Sequence, residues 1–529
     1  MSGSSRGAIG SWPFHPFLLA AHPLFSLLLS NVNRVPLSDI IWPLAVIEAG
    51  TLVILLVCRT FSGSWRRAGL YCLLIVVLLL FFQRFDALAI FAFDDGLNTW
   101  LLMVLWLAVL LPVSGLIWRA KGNFRGATLA LNAATFVFLA VPLSIVGYFN
   151  IQALTVRDTA VAAANRPVPE LVKPASGDLP DIWYIVLDRY ARADVLQSHY
   201  DFDNSPFLKS LVDSGFQVLD KSAANYQRTG HSLASTLNLD YLDAVTAVTG
   251  EQSTDWIVLY RLLEDFKVWR ALKPLGYTFS HFGSWWTPTA FNRHADHNVN
   301  WRVTPTFQRF LMAQSLPGRI ARSADWQAMD ERRIQCERVA QKFEELNKLA
   351  NEKSAPKFVF AHFLMPHPPF VLTGNGTCLG LEQASARSRR DNYIDQVRYT
   401  NDRLLNMIRR VHAGSKGKAI VILQADEGPW PERFAGDEHT LGLDTNPIDW
   451  TKLSAIELRE KMAIFNAIYL PDGVTTNKPL SSMSPVNTFR FIFRHWFGAD
   501  LPPLPDENFI YLDDRHVFAF QRVTERLGE

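Results

Sequence analysis

The sequence predicts an N-terminal α-helical bundle of about five membrane spans, followed by an α/β domain whose mostly parallel sheet is sandwiched by helices. Three observations carry this. Long apolar runs crowd the first 150 of 529 positions, most charged residues lie beyond 155, and from 181 onward short β-rich runs alternate with helical patterns. A chain of this length exceeds one ordinary domain. The expected division is a transmembrane domain at 1–150, a linker at 151–180 and a soluble domain at 181–529. The formal net charge of +2 gives no electrostatic reason to expect a nucleic-acid partner.

Four apolar runs are clear: Ile40–Cys58, Ala68–Phe82, Thr99–Trp118 and Ala127–Tyr148. Most approach the roughly 20 residues that cross a hydrocarbon core about 30 Å thick. Phe14–Leu29 is a fifth candidate despite His15, Pro16, His22 and Pro23, because spanning helices tolerate proline. We read it as a retained helix; a cleavable signal peptide would want a more basic start than Arg6. Arg59, Arg66 and Arg67 fill one connection, and Arg119, Lys121 and Arg125 another. The connection between the third and fourth runs instead holds Asp86, Asp94 and Asp95 with Arg84. The positive-inside rule then places the basic loops in the cytoplasm and everything after the fifth span outside it. The expected location is a multi-pass protein of the inner or plasma membrane with an extracytoplasmic soluble domain, periplasmic in a Gram-negative cell. Glu48, within the second run, is either a functional intramembrane carboxylate or one neutralised by its neighbours.

Pro167, Pro169, Pro174 and Pro180 punctuate the linker. Beyond it, Asp181–Leu187, Gly276–Phe282, Lys357–Leu364 and Lys418–Gln424 read as buried strands, and Ser205–Val212, Asp325–Leu349 and Asn392–Val411 as helices. Apolar strands interleaved with helices imply parallel pairing, and such sheets carry their sites at the carboxyl ends of the strands. Cys336 and Cys378 could pair there if the compartment is oxidising.

That rule selects the residues that could carry chemistry. Asp188 ends the first strand, Thr229 precedes an apolar helical pattern, His367 follows the third strand, and Asp426 and Glu427 follow the fourth. Each has an ordinary role as well: a cap for Asp188 or Thr229, a turn for Asp426 to Gly428. Together they could converge on a divalent metal. Carboxylates with a hydroxyl suit Mg²⁺ or Mn²⁺, and an added imidazole admits Zn²⁺. A metal would also activate Thr229, since a free hydroxyl is a weak nucleophile. A helix N-terminus beside it would favour a phosphoryl or sulfuryl group. Arg228 and Arg192 could hold phosphate oxygens. Trp285, Trp286 and Trp430 could line a groove or fill a core, and His231 and His362 read as core or supporting residues.

The region 181–520 resembles the sulfatase-like branch of the alkaline phosphatase superfamily. It is most similar to membrane-anchored phosphoethanolamine and phosphoglycerol (lipoteichoic-acid-synthase-like) transferases, which combine five N-terminal spans with an external catalytic domain. The resemblance implies that Asp188 in Ile-Val-Leu-Asp is the first acidic metal ligand. Thr229 with Ser232 matches the nucleophile pattern Thr-x-x-Ser, and His367 in Pro-His-Pro-Pro-Phe matches an active-site histidine. Asp426 matches the Asp of an Asp-His-Gly metal motif, and His439 stands where the transferases place another histidine. His281 is aligned loosely with a substrate-contacting histidine, and Arg228 lies beside the nucleophile.

Two departures shape the expectation. Glu427 stands where the family carries His, which keeps a possible ligand but makes the site harder and more acidic. Thr229 stands where sulfatases carry a Cys or Ser, in a Pro- and Arg-containing motif, that is oxidised to formylglycine; threonine cannot yield that aldehyde. The expected function is therefore metal-dependent transfer of a phospho-substituent from a membrane phospholipid donor to a glycan or lipid acceptor, through a covalent Thr229 intermediate. The alternatives are a phosphoester or sulfoester hydrolase of the same superfamily, and a non-catalytic glycan- or partner-binding member.

Overall fold

The computed structural model describes residues 12–82, 84, 99–165, 167–174, 178–323, 330–352, 356–434, 448–471 and 480–528. It contains two compact units. One comprises Met1–Thr155 and Thr304–Asp330, the other Val156–Val303 and Glu331–Glu529.

All five apolar runs are helical: His15–Leu29, Ser38–Ser62, Trp65–Leu80, Thr99–Arg119 and Arg125–Ala164. Among the described residues three helices, Ser38–Ser62, Trp100–Arg119 and Arg125–Ala164, are long and apolar enough to cross a membrane. The 15-residue His15–Leu29 and 16-residue Trp65–Leu80 fall short of a full crossing length, so five is an approximate count of spans. Pro23, Pro43, Pro112 and Pro142 all sit inside helices without ending them. Trp42, Val53, Phe61, Val104 and Val137 are exposed, as side chains facing lipid would be. The two basic connections meet, for Arg67 donates to the Ala120 carbonyl at 2.9 Å and Arg66 to that of Asn123 at 3.4 Å. Asp86, Asp94 and Asp95 lie outside the described residues.

Residues 304–330 fall within the expected soluble domain, 181–529, yet cluster with this unit. Two short helices, Thr306–Ala313 and Leu316–Ser323, lie here. Phe307 packs among Leu24, Leu27, Leu28, Ile40 and Val146, while Leu316 packs with Phe82, Leu102 and Trp106. The helix Arg125–Ala164 also runs through the first half of the expected linker, leaving a Pro-rich irregular stretch only after it.

The second unit is built on a seven-stranded sheet: β1 (Ile182–Leu187), β2 (Phe216–Val218), β3 (Thr278–Phe282), β4 (His297–Val299), β5 (Lys357–Phe363), β6 (Ile420–Gln424) and β7 (Asn466–Tyr469). The order is β2-β7-β6-β1-β5-β3-β4. β1 lies parallel to β5 and β6, and β3 is parallel to β5 and β4; β7 is antiparallel to both neighbours. β1, β5 and β6 are buried at every residue, which is why they read as unbroken apolar runs rather than as alternation. The long helices Glu331–Leu349 and Arg389–Ser415 and the helix Pro485–Phe497 bury apolar stripes in the same core. Val186 is in register with His362 on one side and Gln424 on the other, so the carboxyl ends of β1, β5 and β6 finish level. Cys336 and Cys378 form a disulfide.

Candidate metal and catalytic site

The level strand ends bring three side chains together. Asp188 follows β1, His362 lies next to last on β5, and Asp426 stands two residues beyond β6. One ligand atom from each lies within 4.8 Å of the others, and all three residues are buried. His362 Nε2 is 3.9 Å from Asp188 Oδ2. The helix Thr229–Asn238 presents Thr229 at its first position. Thr229 is close enough to Asp426 to ease its ionisation, although neither Asp426 oxygen completes a well-formed hydrogen bond.

Burial pushes Asp188 well above the usual carboxylate range, and the charges of Asp426 and Glu427 push the same way. Asp426 is pushed up to about 7, by burial first and by Glu427 second. His362 is driven well below the ordinary imidazole range by burial, and by the charge of Lys342. Each shift favours the neutral form, because charge is costly where water is excluded. Asp188 Oδ1, both Asp426 oxygens and His362 Nε2 have no hydrogen-bond partner among the described residues. Buried acceptors left this way are rare, and a divalent cation satisfies all of them at once. Two carboxylates and an imidazole within reach of one point fit such an ion, and Asp188, His362 and Asp426 would hold it.

Glu427 is placed differently. Its Oε1 accepts from Arg189 at 3.0 Å and from Lys461 at 3.0 Å, all three side chains being buried. Burial alone would raise its pKa, but Lys461, Arg189 and Arg228 together hold it below the usual value. Glu427 is thus an internal counter-ion, and it is not among the three residues whose ligand atoms converge. Gly428 makes this arrangement possible. A Cβ there would come within 2.3 Å of the Glu460 carbonyl oxygen and 2.7 Å of that of Lys461, so only glycine lets the last turn of the helix Ala455–Met462, which carries Lys461, approach. Lys461 is lowered to about 8, burial outweighing its pairing with Glu427.

Around this centre, Arg228 donates to the Tyr511 hydroxyl at 3.0 Å and to both Asp514 oxygens at 3.2 Å. Its guanidinium stacks on Trp430, 4.5 Å from the ring centroid, and Arg189 lies 4.7 Å from the same ring. Trp430 is therefore buried among cations and lines no groove. Arg192 is taken up by Asp194 and the Ser222 carbonyl. Half-buried His367 sits 5.9 Å from the Trp285 ring; burial and the nearby Arg189 hold it well below its usual pKa. Ser232 is fully buried on the same helix as Thr229. His281 is buried as well, its Nε2 bonded to the Thr289 carbonyl at 3.0 Å, so it is turned to that backbone. His231 is enclosed by Tyr226, Trp256, Tyr511, Phe518 and Phe520. His439 lies outside the described residues.

Sequence reasoning undervalued His362, whose in-strand position reads as core packing. It passed over Lys461 and Arg189, which carry no motif; only the unusual Glu427 signals that a counter-charge must be near.

The family model described as Sulfatase matches residues 180–477, more than half of the chain. The chain belongs to the sulfatase family. It is an enzyme of the alkaline phosphatase superfamily, with apolar helices at its N-terminus of the kind that anchor a protein in a membrane. No curated protein matches it. Among solved structures it is similar to the C-terminal periplasmic domain of EcEptC from Escherichia coli in complex with Zn, at 13% identity and a TM-score of 0.42, over 67% of this chain and 100% of that one. It is also similar to the soluble domain of lipooligosaccharide phosphoethanolamine transferase A from Neisseria meningitidis, at 13% identity and a TM-score of 0.38, over 62% and 92%. The corresponding domain of phosphoethanolamine transferase EptC from Campylobacter jejuni gives 12% identity and a TM-score of 0.36, over 66% and 97%.

Proposed function

We propose that this protein is a metal-dependent transferase that moves a phospho-substituent, of the phosphoethanolamine or phosphoglycerol type, from a membrane phospholipid to a cell-envelope glycan or lipid. The observation that carries the reading is Thr229. It stands at the first turn of a helix, beside Asp426, at the edge of a buried cluster of two carboxylates and an imidazole. Threonine excludes the formylglycine route to sulfate esters, and a helix N-terminus favours a phosphoryl group.

Asp188, His362 and Asp426 would hold a divalent ion, Mn²⁺, Mg²⁺ or Zn²⁺. When bound, such an ion would supply positive charge that eases ionisation of a nearby hydroxyl and balances charge on phosphoryl oxygens. The protein's own residues then act in two halves. Thr229 Oγ attacks the phosphorus of the donor phosphodiester and releases its proton toward Asp426. The Oγ–P bond forms as the bond from phosphorus to the diacylglycerol oxygen breaks, and that oxygen takes a proton from His439, while His367, held neutral by burial and by Arg189, contacts the phosphoryl group. An acceptor hydroxyl next attacks the same phosphorus and gives its proton to the histidine deprotonated in the first half, the P–Oγ bond breaks, and Thr229 takes back the proton held by Asp426.

The apolar N-terminal helices support a lipid donor, because they confine the enzyme to its substrate's plane. Loop charge and the Cys336–Cys378 disulfide both support an extracytoplasmic catalytic domain. The test is intact-mass analysis of the full chain in detergent, with Mn²⁺, Mg²⁺ or Zn²⁺ and defined phospholipids, beside Thr229→Ala. A phosphoryl-containing adduct on the wild type that is lost in the variant supports transfer, and its mass identifies the donor. A folded, metal-loaded protein that forms no adduct with any headgroup would sink the covalent mechanism.

A further inference from the structure

Resting on the metal reading above, we infer that Thr289 is a positioning residue that fixes the orientation and tautomer of His362, through a chain of hydroxyls whose polarity reverses with metal occupancy. Thr289 Oγ1 lies 2.8 Å from His362 Nδ1 and 2.8 Å from Ser284 Oγ. Ser284 Oγ in turn accepts from the backbone N–H of Trp286 at 3.0 Å, and its own hydroxyl can reach the Trp286 carbonyl at 3.5 Å. Thr289 and Ser284 are buried, so solvent is not an alternative partner. The backbone of Thr289 is itself tied down, since His281 Nε2 donates to its carbonyl and that same carbonyl accepts from the N–H of Ser284.

One hydroxyl has one proton, so the chain has two self-consistent settings. In the first, His362 Nδ1–H donates to Thr289, Thr289 donates to Ser284, and Ser284 turns to the Trp286 carbonyl. His362 Nε2 then offers a lone pair toward Asp188 and Asp426, as a ligand must. In the second, Ser284 donates to Thr289 and Thr289 donates to Nδ1. Nε2 then carries the proton and points it at Asp188 Oδ2, 3.9 Å away. The first setting suits the loaded site and the second suits the unloaded one. No heavy atom moves between them. Partners of this kind on the far nitrogen of a ligating histidine typically change metal affinity by about 10- to 100-fold.

The test uses the full chain in detergent. Metal affinity is measured by competition with a chelator for wild type, Thr289→Val, Thr289→Ser, Ser284→Ala and His362→Ala, and thermal midpoints are taken in excess chelator. The expected result is a 10- to 100-fold loss of affinity in Thr289→Val, near wild-type affinity in Thr289→Ser, and an intermediate loss in Ser284→Ala. Wild-type affinity in Thr289→Val overturns the inference while leaving the metal site standing. If Thr289→Val does not fold, Ser284→Ala decides, because it spares the Thr289–His362 contact and removes only the relay's next partner; wild-type affinity there overturns the reversal of polarity. Unchanged affinity in His362→Ala, or no metal on the wild type, overturns both this inference and the reading on which it rests.

Discussion

Replacing Glu427 by the histidine that the family's motif would place there should damage this protein rather than repair it. Glu427 Oε1 accepts from both Arg189 and Lys461 at 3.0 Å, and Lys461 is fully buried. Neutral imidazole removes the counter-charge and leaves Lys461 with the Gly428 carbonyl, at 3.0 Å, as the other acceptor seen at its ammonium. Breaking a buried pair by removing one partner typically costs about 3–5 kcal/mol, a large part of the 5–15 kcal/mol that separates folded from unfolded domains. For a unit of this size each kcal/mol moves the thermal midpoint by about 1–2 °C, so Glu427→His should melt about 4–7 °C lower. The melt should be followed in excess chelator, so that metal affinity does not enter. Adding Lys461→Met removes the stranded charge and should recover part of the loss, with a coupling of about 1–3 kcal/mol in the double-mutant cycle. A Glu427→His midpoint within 2 °C or so of wild type, with no coupling to Lys461, would refute the claim that Glu427 is held as a counter-ion.

Other expectations follow from the same structure. Burial holds His281 down to about 4. Because its folded pKa lies below the unfolded value of about 6.5, the unfolded chain takes up the proton first as pH falls, so stability is lost from about 6.5 down to 4. The loss should total about 3 kcal/mol, and a denaturation series across that window should show a shallower slope in His281→Asn. Closing a loop across 42 residues, the Cys336–Cys378 disulfide should contribute about 2–4 kcal/mol. Non-reducing mass analysis and melts with and without a thiol reductant would show it. Phe307→Asp puts a charge among Leu24, Leu27, Leu28 and Ile40 and should release residues 304–330 from the helices they pack on. Limited proteolysis should then cut that segment at least several-fold faster than in wild type.

The parts of the fold that were legible in the sequence are those where burial is uniform. β1, β5 and β6 are buried along their whole length and appear as apolar runs, while the membrane helices appear as longer ones. β2, β4 and β7 have three or four residues each and lack enough positions to show a period. The association of 304–330 with the N-terminal helices was hidden for a related reason. Its contacts rest on a few side chains such as Phe307 and Leu316, spaced among arginines, and sequence separation says nothing about which helices they meet. At the site, Asp188, Thr229 and Asp426 were legible because strand ends and helix starts have local signatures. His362 was not, because an imidazole in a buried strand looks like packing until register shows it level with two carboxylates.

That register changes what Glu427 means. Read along the chain, a glutamate in place of the motif's histidine implies either a harder metal site or a decayed one. Read in space, the cluster still holds two carboxylates and one imidazole, with the imidazole supplied by β5 rather than by the turn after β6. The glutamate meanwhile faces the other way, toward Arg189 and Lys461. Its negative charge alone could not sit beside Asp188 and Asp426 without strong mutual repulsion, and the two cations are what make it tolerable. Decay would be expected to leave the acceptors Asp188 Oδ1, Asp426 Oδ1 and Oδ2 and the His362 Nε2 either filled in by new partners or exposed to water. They are neither. A set of buried, unsatisfied donors to a metal costs stability in the folded protein, and a chain that had lost its chemistry would have no reason to keep it. The substitution at Glu427 is therefore better understood as a rearrangement around an intact set of candidate metal ligands than as the loss of one.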